Sequence, residues 1–415
     1  MSILSSLYRI FDPLKPLKGE DLEYLYVPRK TPIAANFADT IRMSGGEIKA
    51  VITGQPGSGK STELSKVAQL LEKEFFIVQL DAEARLDIFN VNHLEVLIGA
   101  VATMYKTAED KSIHINQKPL EKIAQTLNKV TKKRDISLEL EAPKLLQMVG
   151  ITFKFGLDWE IVKEISIEPE INDILSYIDE AINEVRNTTN RLPLWIIDGL
   201  DKIEFDMAKR IFAESRLLVY PNCPIIYSSP FALFHSPNFQ RVRNYFSSTA
   251  SYEIPNILLF KRETGEPIKE NYEFFYKIID TRLKKVGIKR ENFIENEALE
   301  LFIQSCGGII REFIYFIQYA IQELQQRKMN KIDLYIAKDV IQRVQREKIR
   351  GLTKERLDIL CQIYKEKPSI LPSETKEGLI FELLQNLYIL YYEDKEPWYF
   401  IHPVLETFIK TQCPE

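Results

Sequence analysis

Residues 54–61 of this 415-residue chain read Gly-Gln-Pro-Gly-Ser-Gly-Lys-Ser, a spacing suited to binding phosphate groups. The glycines let the backbone curl until successive N–H groups point at phosphate oxygens. Lys60 can reach the β- and γ-phosphates of a nucleotide, and the Ser61 hydroxyl can ligate Mg²⁺. We therefore predict that this loop binds ATP or ADP with Mg²⁺, and that Lys60 also acts in catalysis. The predicted nucleotide contacts are Gly54, Gln55, Pro56, Gly57, Ser58, Gly59, Lys60, Ser61 and Thr62.

The elements on either side of the loop have the order that this chemistry needs. The apolar run Ala50-Val51-Ile52 before it predicts a strand, and apolar residues at helical spacing follow it, at Leu64, Val67, Ala68 and Leu71. A helix that starts near Lys60 directs the positive end of its dipole at the bound phosphates. The sequence thus predicts a strand, a phosphate-binding loop and a helix in succession.

Two acidic residues downstream are candidates for the rest of the site. The apolar run over residues 193–197 predicts a buried strand that ends at Asp198. Ligands bind at the carboxyl ends of strands in such sheets, so we predict that Asp198 and Ser61 hold Mg²⁺ and that Asp198 is catalytic. Asp201 has two interpretations: it positions or activates the attacking water, or it caps a helix.

The order of predicted elements indicates an α/β fold. Strands alternate with helices up to about residue 260, which predicts a parallel sheet between helices. Helical patterns near 334–349, 353–366 and 375–387, then two short strands, favour a winged helix over a generic α+β cap. The predicted regions are a lead-in at 1–46, a P-loop core at 47–260 with a β-hairpin insertion at 133–167, a helical lid at 261–333, and a winged-helix domain at 334–415.

The run from Leu194 to Asp201, Leu-Trp-Ile-Ile-Asp-Gly-Leu-Asp, resembles the Walker B element of STAND ATPases. That class is similar to AAA+ proteins of the origin-recognition type and includes the NACHT branch. AAA+ members typically place a second acid directly after the first, whereas here it is delayed to Asp201 and followed by Lys202. The resemblance therefore implies an ATPase that hydrolyses ATP slowly.

Three further segments resemble parts of the same class. Gly307-Gly308-Ile309-Ile310-Arg311 resembles the sensor-2 segment, which implies that Arg311 contacts the γ-phosphate. Tyr26 and Val27 resemble the stretch that packs on adenine. Ile401-His402-Pro403 resembles the Met-His-Asp motif, which implies that His402 contacts the β-phosphate of ADP. From the residues alone, a surface role for Arg311 and a structural role for His402 stay open.

The resemblance implies a nucleotide-dependent switch that forms a homo-oligomer and acts on a separate effector or sensor protein, in a bacterial defence or signalling system. A winged-helix ATPase that binds DNA is the alternative, and the basic residues between 343 and 356 favour it. The net charge of −4, and Glu377 and Glu382 in the candidate recognition helix, oppose it. A nucleotide-stabilised scaffold without turnover is a third possibility.

Composition sets the remaining expectations. Hydrophobic residues form 45% and charged residues 27% of the chain, as in globular proteins. No apolar run approaches the length of a membrane span, and the N-terminus lacks the features of a secretory signal. The four scattered cysteines show no metal-binding spacing, so we expect free thiols. These features predict a cytoplasmic protein without a membrane partner.

Overall fold

The computed structural model describes residues 3–132, 169–247, 251–371 and 377–413. The predicted β-hairpin at 133–167 lies outside the described residues. The strands are β1 (Lys49–Thr53), β2 (Phe76–Asp81), β3 (Pro193–Asp198), β4 (Ile225–Ser228), β5 (Ser251–Glu253), β6 (Ile389–Glu393) and β7 (Pro397–Ile401).

The helices span most of the remaining described chain. They are α1 (Ile3–Ile10), α2 (Gly19–Leu25), α3 (Ile33–Met43), α4 (Lys60–Leu71), α5 (Ala82–Arg85), α6 (His93–Asp110), α7 (Lys118–Lys132), α8 (Pro169–Thr189), α9 (Phe205–Ala208), α10 (Phe231–Phe234), α11 (Phe239–Tyr245), α12 (Lys269–Lys285), α13 (Arg290–Phe293), α14 (Asn296–Ser305), α15 (Ile310–Arg327), α16 (Leu334–Ile349), α17 (Lys354–Glu366), α18 (Glu377–Gln385) and α19 (Glu406–Gln412). Among the described residues, no helix combines the length and apolarity that crossing a membrane requires.

The chain forms two compact units. We call one the loop unit, and it contains Met1–Pro32, Gly54–Ser65 and Ile254–Glu415. We call the other the sheet unit, and it contains Ile33–Thr53 and Lys66–Glu253. The phosphate-binding loop therefore belongs to the same unit as the helices and strands of the C-terminal part of the chain.

The sheet unit is built on a five-stranded parallel sheet in the order β2-β3-β4-β1-β5. β1 and β3 are almost entirely buried and their central residues are apolar, as expected for strands covered on both faces. Because the strands are parallel, β1, β3 and β4 end at the same edge of the sheet. Their last residues are Thr53, Asp198 and Ser228. The predicted parallel sheet with flanking helices is confirmed.

Helices cover this sheet with a continuous apolar core. The helix α6 packs on β2, and α7 packs on α8. Trp195, Phe212 and Tyr227 are among its largest fully buried side chains. The start of α6 is fixed by a capping box, in which the Asn92 side chain accepts from Glu95 N. This core holds β1 and β3, and so Asp198 at the end of β3, at defined positions within the sheet unit.

The loop unit is mainly helical. In α15 the buried residues recur at helical spacing, with Phe313, Ile317, Ile321 and Leu324 on one face. Phe313 packs edge-on against Phe275 of α12 at a centroid distance of 5.0 Å. This apolar stripe holds α15, which starts two residues after Gly308, in a fixed place.

The C-terminal part of the loop unit consists of α16, α17 and α18 followed by a hairpin, in which β6 pairs antiparallel with β7. Cys361 of α17 and Cys413, which follows α19, form a disulfide. The expectation that all four cysteines are free is therefore wrong for this pair, whereas Cys223 and Cys306 are free and buried. The two partners are 52 residues apart, and only the packing of α17 against α19 brings them together.

Candidate functional site

The phosphate-binding loop has a backbone that requires glycine. Gly54, Gly57 and Gly59 have φ angles of 153°, 85° and 104°, which L residues rarely adopt. A Cβ on Gly54 would lie 2.7 Å from Ser58 Oγ, and one on Gly57 would lie 2.6 Å from Arg311 Cβ. The loop thus has the curled shape that the spacing of its glycines predicts.

Lys60 begins α4 and is almost fully buried, with 5% of its surface exposed. Its ammonium group donates to the carbonyl oxygens of Gly54 at 2.6 Å and Gln55 at 3.3 Å. Among the described residues, no hydrogen-bond partner is found for the buried Ser58 Oγ. A buried cation and a buried hydroxyl within a loop of this shape fit the oxygens of a nucleotide phosphate.

A network that the sequence did not predict fixes the loop from the N-terminal side. The buried Arg29 guanidinium donates to Ser58 O and, at 2.9 Å, to Pro255 O. Its Nε lies 3.9 Å from the carboxylate of Glu63, which also accepts from the Tyr26 hydroxyl at 3.2 Å. Burial, reinforced by Glu63, raises the pKa of Tyr26. Adenine contacts of Tyr26 and of the buried Val27 stay predictions.

Arg311 lies beside the loop. It occupies the first turn of α15, and its backbone N–H donates to Gly57 O at 3.2 Å. The close approach of the two backbones leaves no room for a side chain at position 57. The structure therefore brings the sensor-2-like segment and the phosphate-binding loop together.

His402 follows β7 and is fully buried. Its Nε2 lies 3.6 Å from Glu312 Oε2, and its Nδ1 accepts from Val404 N at 3.3 Å. Burial, together with the positive charge of Lys348, lowers the pKa of His402 to about 4. Burial alone would raise the pKa of Glu312, but the neighbouring His402 ring and the charge of Lys348 lower it to about 2. His402 is thus a neutral imidazole beside the ionised carboxylate of Glu312. Glu312 directly follows Arg311 in the chain.

Gln55 directs its side chain away from its own loop. The side-chain amide is bonded to Asn256 and to backbone groups of α18 and β6. Only the backbone of Gln55 is therefore left for the phosphate contact that the sequence predicts. The role of this side chain has no local sequence signal, because its partners lie 201 to 336 residues away.

Asp198 and Asp201 lie in the sheet unit. The half-buried Asp198 ends β3, and its Oδ1 accepts from Gly199 N at 2.9 Å. A Cβ on Gly199 would lie 2.7 Å from Glu83 N, which explains a glycine directly after the first acid. Asp201 lies within the 3₁₀ turn Leu200–Lys202, whose N-cap is Gly199.

The helix-cap interpretation of Asp201 is wrong, because the N-cap of the following helix α9 is Glu204. Lys202, next to Asp201, forms an ion pair with Glu83. The part of the chain that the structure describes contains no group of three or more His, Cys, Asp or Glu residues suited to a metal ion. The Mg²⁺ contacts of Ser61 and Asp198 stay predictions.

The basic stretch between 343 and 356 uses several of its charges internally. Arg343 pairs with Glu347 at 3.2 Å, and Arg356 pairs with Glu382 at 2.6 Å. Burial lowers the pKa of Lys348, which also faces Glu312. These cations are therefore less able to contact a phosphate backbone than their sequence spacing suggests.

Comparison with protein families gives one match. Residues 30–225, a little under half of the chain, match the KAP family P-loop domain. The chain contains a P-loop NTPase domain. The matched segment includes the loop at 54–62 and both acids, Asp198 and Asp201. A search of curated proteins gives no match.

Several solved structures are similar over nearly the whole chain at low identity. The ORC2 protein of Aeropyrum pernix, in ADPNP-ADP complexes, is 11% identical with a TM-score of 0.45, over 97% of this chain and 98% of that one. CDC6P from Pyrobaculum aerophilum is 12% identical with a TM-score of 0.42, over 97% of each chain. The RuvB Holliday junction branch migration motor of Thermotoga maritima is 10% identical with a TM-score of 0.41, over 97% of this chain and 100% of that one.

Proposed function

We propose that this protein is a STAND- or AAA+-like ATPase that binds ATP with Mg²⁺, hydrolyses it slowly, and acts as a nucleotide-dependent conformational switch for a partner protein. One observation carries the proposal: the glycine-dependent loop holds a buried Lys60 and is bonded through Gly57 to Arg311 at the start of α15. Arg311, the group proposed to respond to a γ-phosphate, would therefore lie on α15, which the loop contacts.

In the proposed reaction, backbone N–H groups of the loop and the Lys60 ammonium bind the phosphates. Ser61 and Asp198 would hold Mg²⁺, which would neutralise charge on the phosphate oxygens. Asp201 orients a water molecule and accepts its proton as the water oxygen attacks the γ-phosphorus. The bond from that phosphorus to the bridging oxygen breaks, which yields ADP and phosphate. Lys202 follows Asp201 where NACHT proteins often have an acid, which supports slow turnover.

The switch itself is proposed to lie in the loop unit. Arg311 contacts the γ-phosphate of ATP, and His402 contacts the β-phosphate of ADP and keeps the protein closed. Residues 334–415 act as a winged helix that docks in the ADP state and is released in the ATP state. Support comes from the position of His402 against Glu312, next to Arg311. A switch requires such contacts to differ between the two nucleotide states.

The ATP state is proposed to form a homo-oligomer and to bind a separate effector or sensor protein. Light scattering of the full chain with ADP and with a non-hydrolysable ATP analogue tests this. The proposal expects a larger mass with the analogue and an unchanged mass for K60A. Equal masses in both nucleotides would contradict the assembly step.

A further inference from the structure

The Gln55 side chain is the most completely bonded polar group at the loop. It is 1% exposed, and its Oε1 accepts from Asn256 Nδ2 at 2.6 Å and from Tyr391 N at 2.8 Å. Its Nε2 donates to Leu384 O at 3.1 Å and to Ile389 O at 2.8 Å. A glutamine amide has two donors and two acceptor sites, and all four are used here.

Three of these four partners lie in one region of the chain. Leu384 is in α18, and Ile389 and Tyr391 are in β6, so three of the four bonds go to backbone groups of the C-terminal region. Asn256 strengthens the link, because its second amide hydrogen donates to Tyr391 O at 3.0 Å. A buried, fully bonded amide fixes the relative positions of the segments it joins, since breaking one bond leaves a buried polar group unpaired.

Gln55 is also bonded through its backbone to the phosphate-binding lysine. The Lys60 ammonium donates to Gln55 O at 3.3 Å and to Gly54 O at 2.6 Å. A γ-phosphate that drew the Lys60 ammonium toward itself would free these carbonyl oxygens. Gln55 would then lose the bond from Lys60 to its backbone carbonyl, and the side chain of the same residue is bonded to β6.

We propose that Gln55 couples a γ-phosphate in the phosphate-binding loop to the release of the C-terminal hairpin, formed by β6 and β7. This inference rests on the proposed nucleotide switch and names the residue that transmits it. Gln55 acts as a positioning residue: a γ-phosphate moves Lys60, the backbone at Gln55 relaxes, and the four side-chain bonds to Asn256, α18 and β6 weaken together. The hairpin carries the signal onward, because its last residue, Ile401, directly precedes His402.

Hydrogen exchange of the hairpin tests the coupling. The full chain is saturated with ADP or with a non-hydrolysable ATP analogue, with saturation of each variant verified by calorimetry. In the wild type, exchange over residues 389–401 is expected to differ about tenfold between the two nucleotides, because bonds of this kind control local opening. In Q55A the difference is expected to disappear.

A matched control separates coupling from general loss of stability. Gln345 Nε2 donates to Val404 O at 2.7 Å and to Thr407 Oγ1 at 2.9 Å, so Q345A removes bonds to the C-terminal segment without touching the loop. Q345A is expected to keep the nucleotide-dependent difference. N256A, which removes one partner of Gln55 Oε1, is expected to reduce it and decides the question if Q55A does not fold.

The outcomes distinguish this inference from the proposed function. A wild-type protein that binds no nucleotide overturns both. Binding without any difference in hairpin exchange overturns the coupling and leaves nucleotide binding intact. The coupling is also overturned if Q55A and N256A respond like the wild type, or if Q345A loses the response as well.

Discussion

The backbone N–H of Arg311 donates to the carbonyl of Gly57 at 3.2 Å, so the start of α15 rests directly on the phosphate-binding loop. The contact is between main chains and leaves no space for a Cβ at position 57. Arg311 is therefore adjacent to the loop whatever conformation its side chain adopts. This relationship ties a helix of the C-terminal half to the residues proposed to bind phosphate.

Gly57→Ala should abolish nucleotide binding. The new Cβ would lie 2.6 Å from Arg311 Cβ, and the φ of 85° disfavours any L residue. Gly287→Ala is the matched control, because Gly287 has a φ of 72° in the same unit with nothing within 4 Å. Each variant should lose about 1 kcal/mol of stability from its backbone conformation. Calorimetry should show lost ATP affinity for G57A alone, and equal affinities would contradict the proposed geometry.

Asp201→Asn should lower the rate of ATP hydrolysis by about 100-fold or more, because an amide cannot accept the proton of the attacking water. Steady-state phosphate release by the full chain measures this. Asp206→Asn, which changes a nearby acid in the first turn of α9, is the control and should hydrolyse ATP like the wild type. An unchanged rate of ATP hydrolysis in D201N would contradict the proposed catalytic role of Asp201.

Acidification should destabilise the loop unit through His402. Its folded pKa of about 4 lies below the ordinary value of 6.5, so the unfolded chain binds the proton more tightly. The contribution of His402 to the free energy of unfolding is therefore complete above pH 6.5. It falls by about 2 to 3 kcal/mol as the pH falls toward 4. Glu312, whose pKa is about 2, loses its contribution only at lower pH.

His402→Asn isolates this effect, because the asparagine oxygen can replace Nδ1 as acceptor for Val404 N but does not titrate. Denaturant unfolding at about pH 7 and pH 4.5 should show a smaller loss for H402N than for the wild type. Burial also lowers the pKa of His93, in the sheet unit, to about 4. His93 should therefore cause a loss of stability at low pH in both the wild type and H402N. Equal losses would show that His402 is not buried as a neutral group.

Loss of the Cys361–Cys413 disulfide should destabilise the C-terminal region. The bond closes a loop of 52 residues, for which the chain-entropy relation gives about 4 kcal/mol. C361S and C413S should each show this loss by denaturant unfolding, and the double variant should show no more than either single one. Additive losses, or no loss under oxidising conditions, would contradict the pairing.

Local patterns predicted the parts of this structure that depend on neighbours in sequence. The loop at 54–61 was predicted from the spacing of its glycines, and the end of β3 at Asp198 from a continuous apolar run. The roles of Arg29 and of the Gln55 side chain were not predicted. Arg29 reaches Ser58 across 29 residues and Gln55 reaches Tyr391 across 336, and nothing in either local pattern specifies such a partner.

The two residues taken from a family resemblance show how far such patterns extend. The backbone of Arg311 lies beside Gly57, and its contact with the γ-phosphate stays a prediction. His402 was expected at the β-phosphate, and its ring lies against Glu312, a partner with no counterpart in the motif. The disulfide between Cys361 and Cys413 was not predicted for the same reason as the bonds of Gln55: only packing brings the two cysteines together.

Calorimetric titration of ATP with Mg²⁺ into the wild type and K60A tests the central claim most directly. The Lys60 ammonium is the charged group held within the loop, and its loss should weaken ATP binding by at least about 100-fold. Lys66→Ala, on the same helix but bonded to Gln69, is the control and should bind like the wild type. Equal affinity in K60A and the wild type would contradict the assignment of residues 54–62 as the nucleotide site.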